Sequence, residues 1–151
     1  MFSIVIPLFN EEHNIVPLYN EILSSLKSYK DYEIIFVDDA STDLTLEKIS
    51  NIHDVKLKII KNIRNKGQSY SLLKGIKNSS NKIIVTLDGD GQNDPTDIPK
   101  LLECYLSNKH IDLIAGIRHK RKDSLIKIIS SKIANYIRSK ILKDNCLDTG
   151  C

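Results

Sequence analysis

Three short β-branched runs, each stopping abruptly at a cluster of carboxylates and amides, constrain this chain more than any other feature. Residues 2–8 lead into Asn10-Glu11-Glu12, residues 33–37 into Asp38-Asp39-Ala40-Ser41-Thr42-Asp43, and residues 83–87 into Asp88-Gly89-Asp90-Gly91-Gln92-Asn93-Asp94-Pro95. Apolar runs of this length, ended by turn-forming residues, read as buried strands that deliver their last residues to one edge of a sheet. Helical periodicity fills the intervals between them. Strands alternating with helices imply parallel pairing through right-handed crossovers, so the expected fold is α/β, a doubly wound, mostly parallel sheet with helices on both faces.

In chain order, residues 10–29 place Ile15, Leu18, Tyr19, Ile22 and Leu26 at helical spacing, with Asn10 or Asn14 as cap and Pro17 tolerable near the first turn. A second helix is expected over 44–52, capped by Ser41, Thr42 or Asp43, and a third strand over 55–61. A basic, polar loop at 62–67 precedes a short helix at 68–77 carrying Leu72, Leu73 and Ile76. Beyond Pro95 a helix with Ile98, Leu101, Leu102 and Tyr105 on one face leads to an expected strand at 112–115. No internal repeat or low-complexity linker interrupts this order.

The 151 residues are about one domain long, and a composition of 41% hydrophobic and 27% charged residues is that of a globular chain. No stretch reaches the roughly 18 uncharged apolar residues of a membrane span, and the N-terminus has no basic region before its apolar run, so neither a span nor a signal peptide is expected. Cys104, Cys146 and Cys151 have neither metal spacing nor the even count of a disulfide framework. They are expected as reduced thiols, Cys104 packed within a helix. Charge is unevenly placed: residues 118–143 hold nine Lys or Arg against Asp123 alone, a local +8 within a total of +3, leaving −5 for the remainder. Such a tract points to an anionic partner. Within it, Ile126, Ile129, Ile133, Ile137 and Ile141 recur at helical spacing among basic residues, so 124–142 reads as a basic amphipathic helix suited to an anionic membrane interface or to packing on its own domain. Nucleic acid is disfavoured as the partner, since Tyr136 is the one aromatic there to stack on bases.

Asp88 and Asp90, at i and i+2 beside small glycines and the amide of Gln92, are hard oxygen donors of the kind Mg²⁺ or Mn²⁺ takes alongside substrate phosphates. Asp and Gly also gather in ordinary turns. Carboxylates recurring at three strand ends on one edge are harder to attribute to turns alone. A carboxylate just past a strand can accept hydrogen bonds from a ribose or base, so a nucleotide held near Asp39 and, through a metal, near Asp90 is expected. No G-x-G-x-x-G or G-x-x-x-x-G-K-[ST] run exists, and residues 88–99 fail as a calcium loop, with Asn93 and Pro99 where Gly and Glu belong. The four histidines are scattered without ligand spacing. Ser69, Tyr70 and Ser71 lack a Cys or His partner for nucleophilic catalysis, although Gly67-Gln68 beside them could sit against a donor.

The strings Ile4-Val5-Ile6-Pro7-Leu8-Phe9-Asn10-Glu11-Glu12, Phe36-Val37-Asp38-Asp39-Ala40-Ser41-Thr42-Asp43 and Leu87-Asp88-Gly89-Asp90-Gly91-Gln92-Asn93-Asp94-Pro95 resemble family 2 glycosyltransferases. More narrowly, they resemble the polyprenyl-phosphate branch similar to dolichyl-phosphate mannosyltransferase. The resemblance implies a single GT-A domain over 1–151, with a nucleotide-binding part over about 1–117 and a basic, acceptor and membrane-proximal segment over about 118–151. It implies transfer of a sugar, with inversion, from a UDP- or GDP-linked donor to a polyprenyl phosphate such as an undecaprenyl or dolichyl phosphate. Carried over by position, Pro7, Phe9, Glu11, Val37 and Asp39 line the nucleotide site with Asp88, Gly89 and Asp90, and Asp88, Asp90 and Gln92 surround Mg²⁺ or Mn²⁺. Asp90, Arg118, Arg121 and Asp148 take catalytic roles, Asp148 as the base if the acceptor is a sugar hydroxyl. The segment with Ser131 and Asn135 resembles the one near the donor diphosphate and lipid phosphate, and Asp148-Thr149-Gly150-Cys151 an acceptor-side motif. The family's catalytic region normally continues beyond that last motif, so a C-terminal remainder is expected to be missing here. The implied location is peripheral, at the cytoplasmic face of the membrane, with a homo-oligomer open. A second reading stays open as well: a membrane-associated partner that binds nucleotide sugar without independent transferase activity.

Overall fold

The computed structural model describes residues 1–108 and 110–116. It contains β1 (Phe2–Leu8), α1 (Ile15–Ser25), β2 (Tyr32–Asp38), α2 (Thr45–Ser50), β3 (Leu57–Lys61), α3 (Gln68–Lys77), β4 (Ile83–Thr86), a 3₁₀ turn (Pro95–Asp97) and α4 (Ile98–Ser107). The strands form one parallel sheet in the order β3-β2-β1-β4. Both faces are covered. Ile4, Ile6 and Leu8 of β1 and Ile34 and Phe36 of β2 pack against Ile15, Leu18 and Ile22 of α1, Ile49 of α2, and Ile98 and Leu102 of α4. On the opposite face Val5, Ile35 and Val37 pack with Leu72 of α3. Strands buried on both faces explain why these runs are nearly continuous in apolar residues.

Two local details show how the sequence accommodates this packing. A Cβ at Gly75 would overlap Val5 Cγ1 and come within 3.0 Å of Val37 Cγ2, so glycine lets α3 lie directly on the sheet. Pro7 lies in a central strand although it lacks an N–H. Leu87 N donates to Val5 O at 3.2 Å on the β4 side, and Asp39 N to Leu8 O at 2.8 Å on the β2 side. By alternation, the nitrogen of Pro7 faces the β4 side, beyond the last β1–β4 pair, Val5 with Thr86. The β1–β4 ladder ends there, where the missing N–H would have made its next bond.

Several expectations change. The segment 112–115 is not a strand: it pairs with none of the described strands and Leu113 stays 81% exposed, and a short apolar run without a pairing partner has no ladder to stabilise it. Cys104 lies on α4 but is exposed, because Ile98 and Leu102, four residues apart, define the buried stripe and Cys104 falls off it. Asn14 occupies the N-cap position of α1 without capping it; its side chain instead donates to Glu11 Oε2 at 2.7 Å. Asp43 does serve the start of α2, accepting from Thr45 N at 2.9 Å. The segment 124–142 lies outside the described residues. Among the described residues, no helix is long and apolar enough to cross a membrane.

Candidate functional site

The strand order reverses direction at β1, which has β2 on one side and β4 on the other. Open α/β sheets bind ligands in the crevice outside the carboxyl ends of the strands at such a point. Gly89 closes the floor of this crevice. A Cβ there would lie 2.5 Å from Leu8 Cδ2, 3.0 Å from Pro7 O and 3.5 Å from Glu11 Cγ, so the chain leaving β4 and the chain leaving β1 approach closely enough to require glycine. Glu11, Asp88 and Gly89 thus meet at one place. Phe9, just past β1, keeps a 46% exposed ring beside them in sequence.

Asp39 is the anchor on the β2 side. It is 3% exposed. Asn62 Nδ2 donates to its Oδ1 at 2.6 Å, Lys66 N approaches both oxygens at 3.0 Å, and Gly67 N donates to Oδ2 at 2.7 Å. Burial opposes the charge on Asp39, but the bonds from Asn62, Lys66, Gly67 and Ser71 outweigh it and hold the carboxyl below its ordinary range. Asn62 is itself buried, donating also to Ser71 Oγ at 2.9 Å and accepting from Lys74 Nζ at 2.8 Å. The loop after β3 is therefore folded onto Asp39. Gly67 permits it, with φ +88° and ψ 162°, a conformation essentially confined to glycine. The next residue, Gln68, reaches the other side of the site, its Nε2 donating to Asp88 Oδ1 at 2.6 Å.

The remaining carboxylates at the first two strand ends hold the loops together. Glu12 Oε2 accepts from Leu44 N at 2.9 Å, and Asp43 Oδ2 accepts from Glu12 N at 3.2 Å. Asn10 N donates to Ser41 Oγ at 3.0 Å, Thr42 N donates to Asn10 Oδ1 at 2.8 Å, and Glu11 N donates to Thr45 Oγ1 at 2.7 Å. Asn10 and Ala40 both have positive φ, near 60°. This reciprocal clasp uses Glu12 and Asp43 as acceptors for backbone amides. Asp38 is wholly buried; its Oδ1 accepts from Ser41 N at 3.3 Å, and its Oδ2 has no hydrogen-bond partner among the described residues.

On the β4 side, Asp88 is half-buried between Gln68 and Asn93 Nδ2, the latter 3.5 Å from its Oδ2. Asp90 is exposed, and its Oδ1 accepts from Gln92 N at 3.0 Å, with Gly91 at φ +70° making the turn. Among the described residues, no group of three or more His, Cys, Asp or Glu side chains is placed to hold a metal ion. Asp88 and Asp90 offer two carboxylates and Gln92 an amide oxygen. That donor set fits Mg²⁺ or Mn²⁺, hard ions for which one or two carboxylates suffice when substrate phosphates and water complete the shell. An open groove of about 660 Å³ lies between Glu21 and Ser24 of α1 and Gln92 and Asp94 of this loop; neither Asp39 nor Asp88 lines it.

Of the residues expected at the site, Pro7, Phe9, Glu11, Asp39, Gly67, Asp88, Gly89, Asp90 and Gln92 come to the carboxyl edge of the sheet or the loops above it. Val37 does not line an open pocket: it is fully buried beneath α3. Arg118, Arg121 and Asp148 lie outside the described residues. Asn62 is the residue sequence reasoning passed over. Its one signal is position, the first residue after β3.

Over 154 aligned residues the chain is 39% identical to the dodecaprenyl-phosphate galacturonate synthase of Rhizobium johnstonii, covering 99% of this chain and 45% of the relative. It is 33% identical over 153 residues to the undecaprenyl-phosphate 4-deoxy-4-formamido-L-arabinose transferase of Proteus mirabilis, covering 99% and 46%. The chain thus spans about half the length of the curated relatives it matches. Glucosyl-3-phosphoglycerate synthase from M. tuberculosis superposes with a TM-score of 0.69 at 20% identity, covering 99% of this chain and 53% of that one. The architecture is the α/β, GT-A type expected from the sequence. The family model for glycosyl transferase family 2 matches residues 3–150, and the chain belongs to that family.

Proposed function

We propose that this protein transfers a sugar, with inversion at the anomeric carbon, from a nucleotide diphosphate sugar to a polyprenyl phosphate. The observation that carries the reading is the convergence of the clamped Asp39, Glu11 and the Asp88-Gly89-Asp90 turn on the switch point between β1 and β4. The two named relatives, both acting on polyprenyl phosphates by name, support the acceptor class.

Asp39, ionised and rigidly held, accepts hydrogen bonds from the nucleoside, with the exposed Phe9 ring available to a base. Asp88, Asp90 and Gln92 would hold Mg²⁺ or Mn²⁺, whose positive charge would offset that of the leaving diphosphate. Arg118 and Arg121 add to that neutralisation. The acceptor phosphate is already anionic at neutral pH, so the basic residues of 118–143 hold it in line, and a strong general base is less necessary than for a sugar hydroxyl. Asp148 belongs to the acceptor side. One C–O bond forms between the anomeric carbon and the acceptor phosphate as the bond to the nucleoside diphosphate breaks. The protein acts at the cytoplasmic membrane face, with 124–142 against the anionic surface.

Incubation with UDP- and GDP-sugars, Mn²⁺ and a short polyprenyl phosphate, followed by mass analysis of the lipid, tests the acceptor. The expected product is the lipid phosphate increased by one sugar residue. A sugar delivered to a different acceptor contradicts the proposal, and nucleotide-sugar binding without transfer favours the binding-partner reading.

A further inference from the structure

Three consecutive residues link the two carboxylates that the proposed donor site depends on. The backbone amides of Lys66 and Gly67 clamp Asp39, and the side chain of Gln68 clamps Asp88. Only the NH₂ of that amide can donate, so the 2.6 Å contact fixes which way the Gln68 carboxamide points. Gln68 opens α3 and is exposed, so core packing does not explain this orientation. The loop has little freedom to move away, because Asn62 holds Asp39 from beneath and Lys74 holds Asn62 and the Lys61 carbonyl.

We infer that Gln68 is a positioning residue that couples the nucleoside side of the site to the metal side: the strap Lys66-Gly67-Gln68 sets the Asp88 carboxylate only when its amides are seated on Asp39. The inference rests on the proposed reading that a metal and a nucleoside diphosphate bind here. Gln68 need not touch either ligand. It removes one rotational freedom from Asp88, so metal coordination is not preceded by reorientation of the carboxylate. A hydrogen bond from a neutral donor to a carboxylate of this kind corresponds to roughly tenfold in affinity.

The test is calorimetric titration with UDP and GDP, each with Mn²⁺ and with EDTA, on the wild type, Gln68→Ala and Gln68→Met. Wild type is expected to bind one diphosphate more tightly with Mn²⁺. Both variants are expected to lose about tenfold of that metal-dependent increment and to keep the wild-type affinity in EDTA, which also reports that they are folded. Gln68→Met preserves length without a donor, so a Met variant that behaves as wild type overturns the positioning role. Coupling is read from a cycle with Asp39→Asn. The double variant is expected to lose no more of the increment than the worse single variant, and losses that multiply overturn the coupling. A wild type with no metal-dependent increment removes the functional reading itself, an outcome distinct from an increment that the Gln68 variants leave intact.

Discussion

A methyl group at position 89 would meet a leucine side chain at 2.5 Å and, less forgivingly, the Pro7 carbonyl at 3.0 Å. The leucine can shift, but the carbonyl belongs to a central strand and cannot. Gly89→Ala is therefore expected to destabilise the protein by about 1–3 kcal/mol, read as a lower urea midpoint at unchanged slope; an unchanged midpoint would show that the two strand exits are less tightly apposed. Asp39, Asp88 and Asp90 stand out in the sequence because a carboxylate at the end of an apolar run is conspicuous. Asn62 does not, since a single amide carries no period and its partner lies 23 residues away; Gln68 is noticeable beside Gly67, but its bond to Asp88, 20 residues on, is not. Glu12 and Asp43 are conspicuous for the same reason as Asp39, yet they serve backbone amides of the opposite loop, a pairing no sequence pattern displays.

At the level of elements, the carboxylates act as joints. Glu33, at the amino end of β2, accepts from Ser3 Oγ of β1 at 2.6 Å and from the backbone of Ser80 just before β4, tying three strands together. Burial pushes its pKa up, but these hydrogen bonds prevail and the net shift is downward. Asp39, Asp43, Asp54 and Asp94 also shift down. A carboxyl whose folded pKa is depressed adds stability that is fully present above its unfolded pKa, about 4, and is lost as pH falls through the folded value. Thermal unfolding is expected to hold steady from pH 7 to 5 and to fall below about pH 4. Glu33→Gln should melt lower than wild type at pH 7, with a shallower acid decline, so that the two curves converge in acid; parallel curves would remove Glu33 as a contributor. Element order and type were readable from the alternation of apolar runs and helical stripes. The segment 112–115 departs from the expected strand because three apolar residues look the same in a strand and in an unpaired stretch, and pairing is a property of two segments.

For the molecule as a whole, the informative fact is where the chain reverses its direction of growth across the sheet. Carboxylates at three strand ends could have been dispersed along an edge; the order β3-β2-β1-β4 sets the ends of β2, β1 and β4 side by side, and the strap from β3 reaches across to both Asp39 and Asp88. Sequence alternation implied a parallel sheet, but strand order depends on which side each crossover takes, which apolar periodicity does not encode.

Titration of wild type and Asp90→Ala with UDP and GDP, in the presence and absence of Mn²⁺, tests whether this edge holds a nucleoside diphosphate through a divalent ion. One diphosphate is expected to bind wild type in a metal-dependent manner, and Asp90→Ala, which retains its fold because Asp90 is exposed, to lose that dependence. Equal affinity with and without the metal, or an Asp90→Ala protein indistinguishable from wild type, would contradict this expectation.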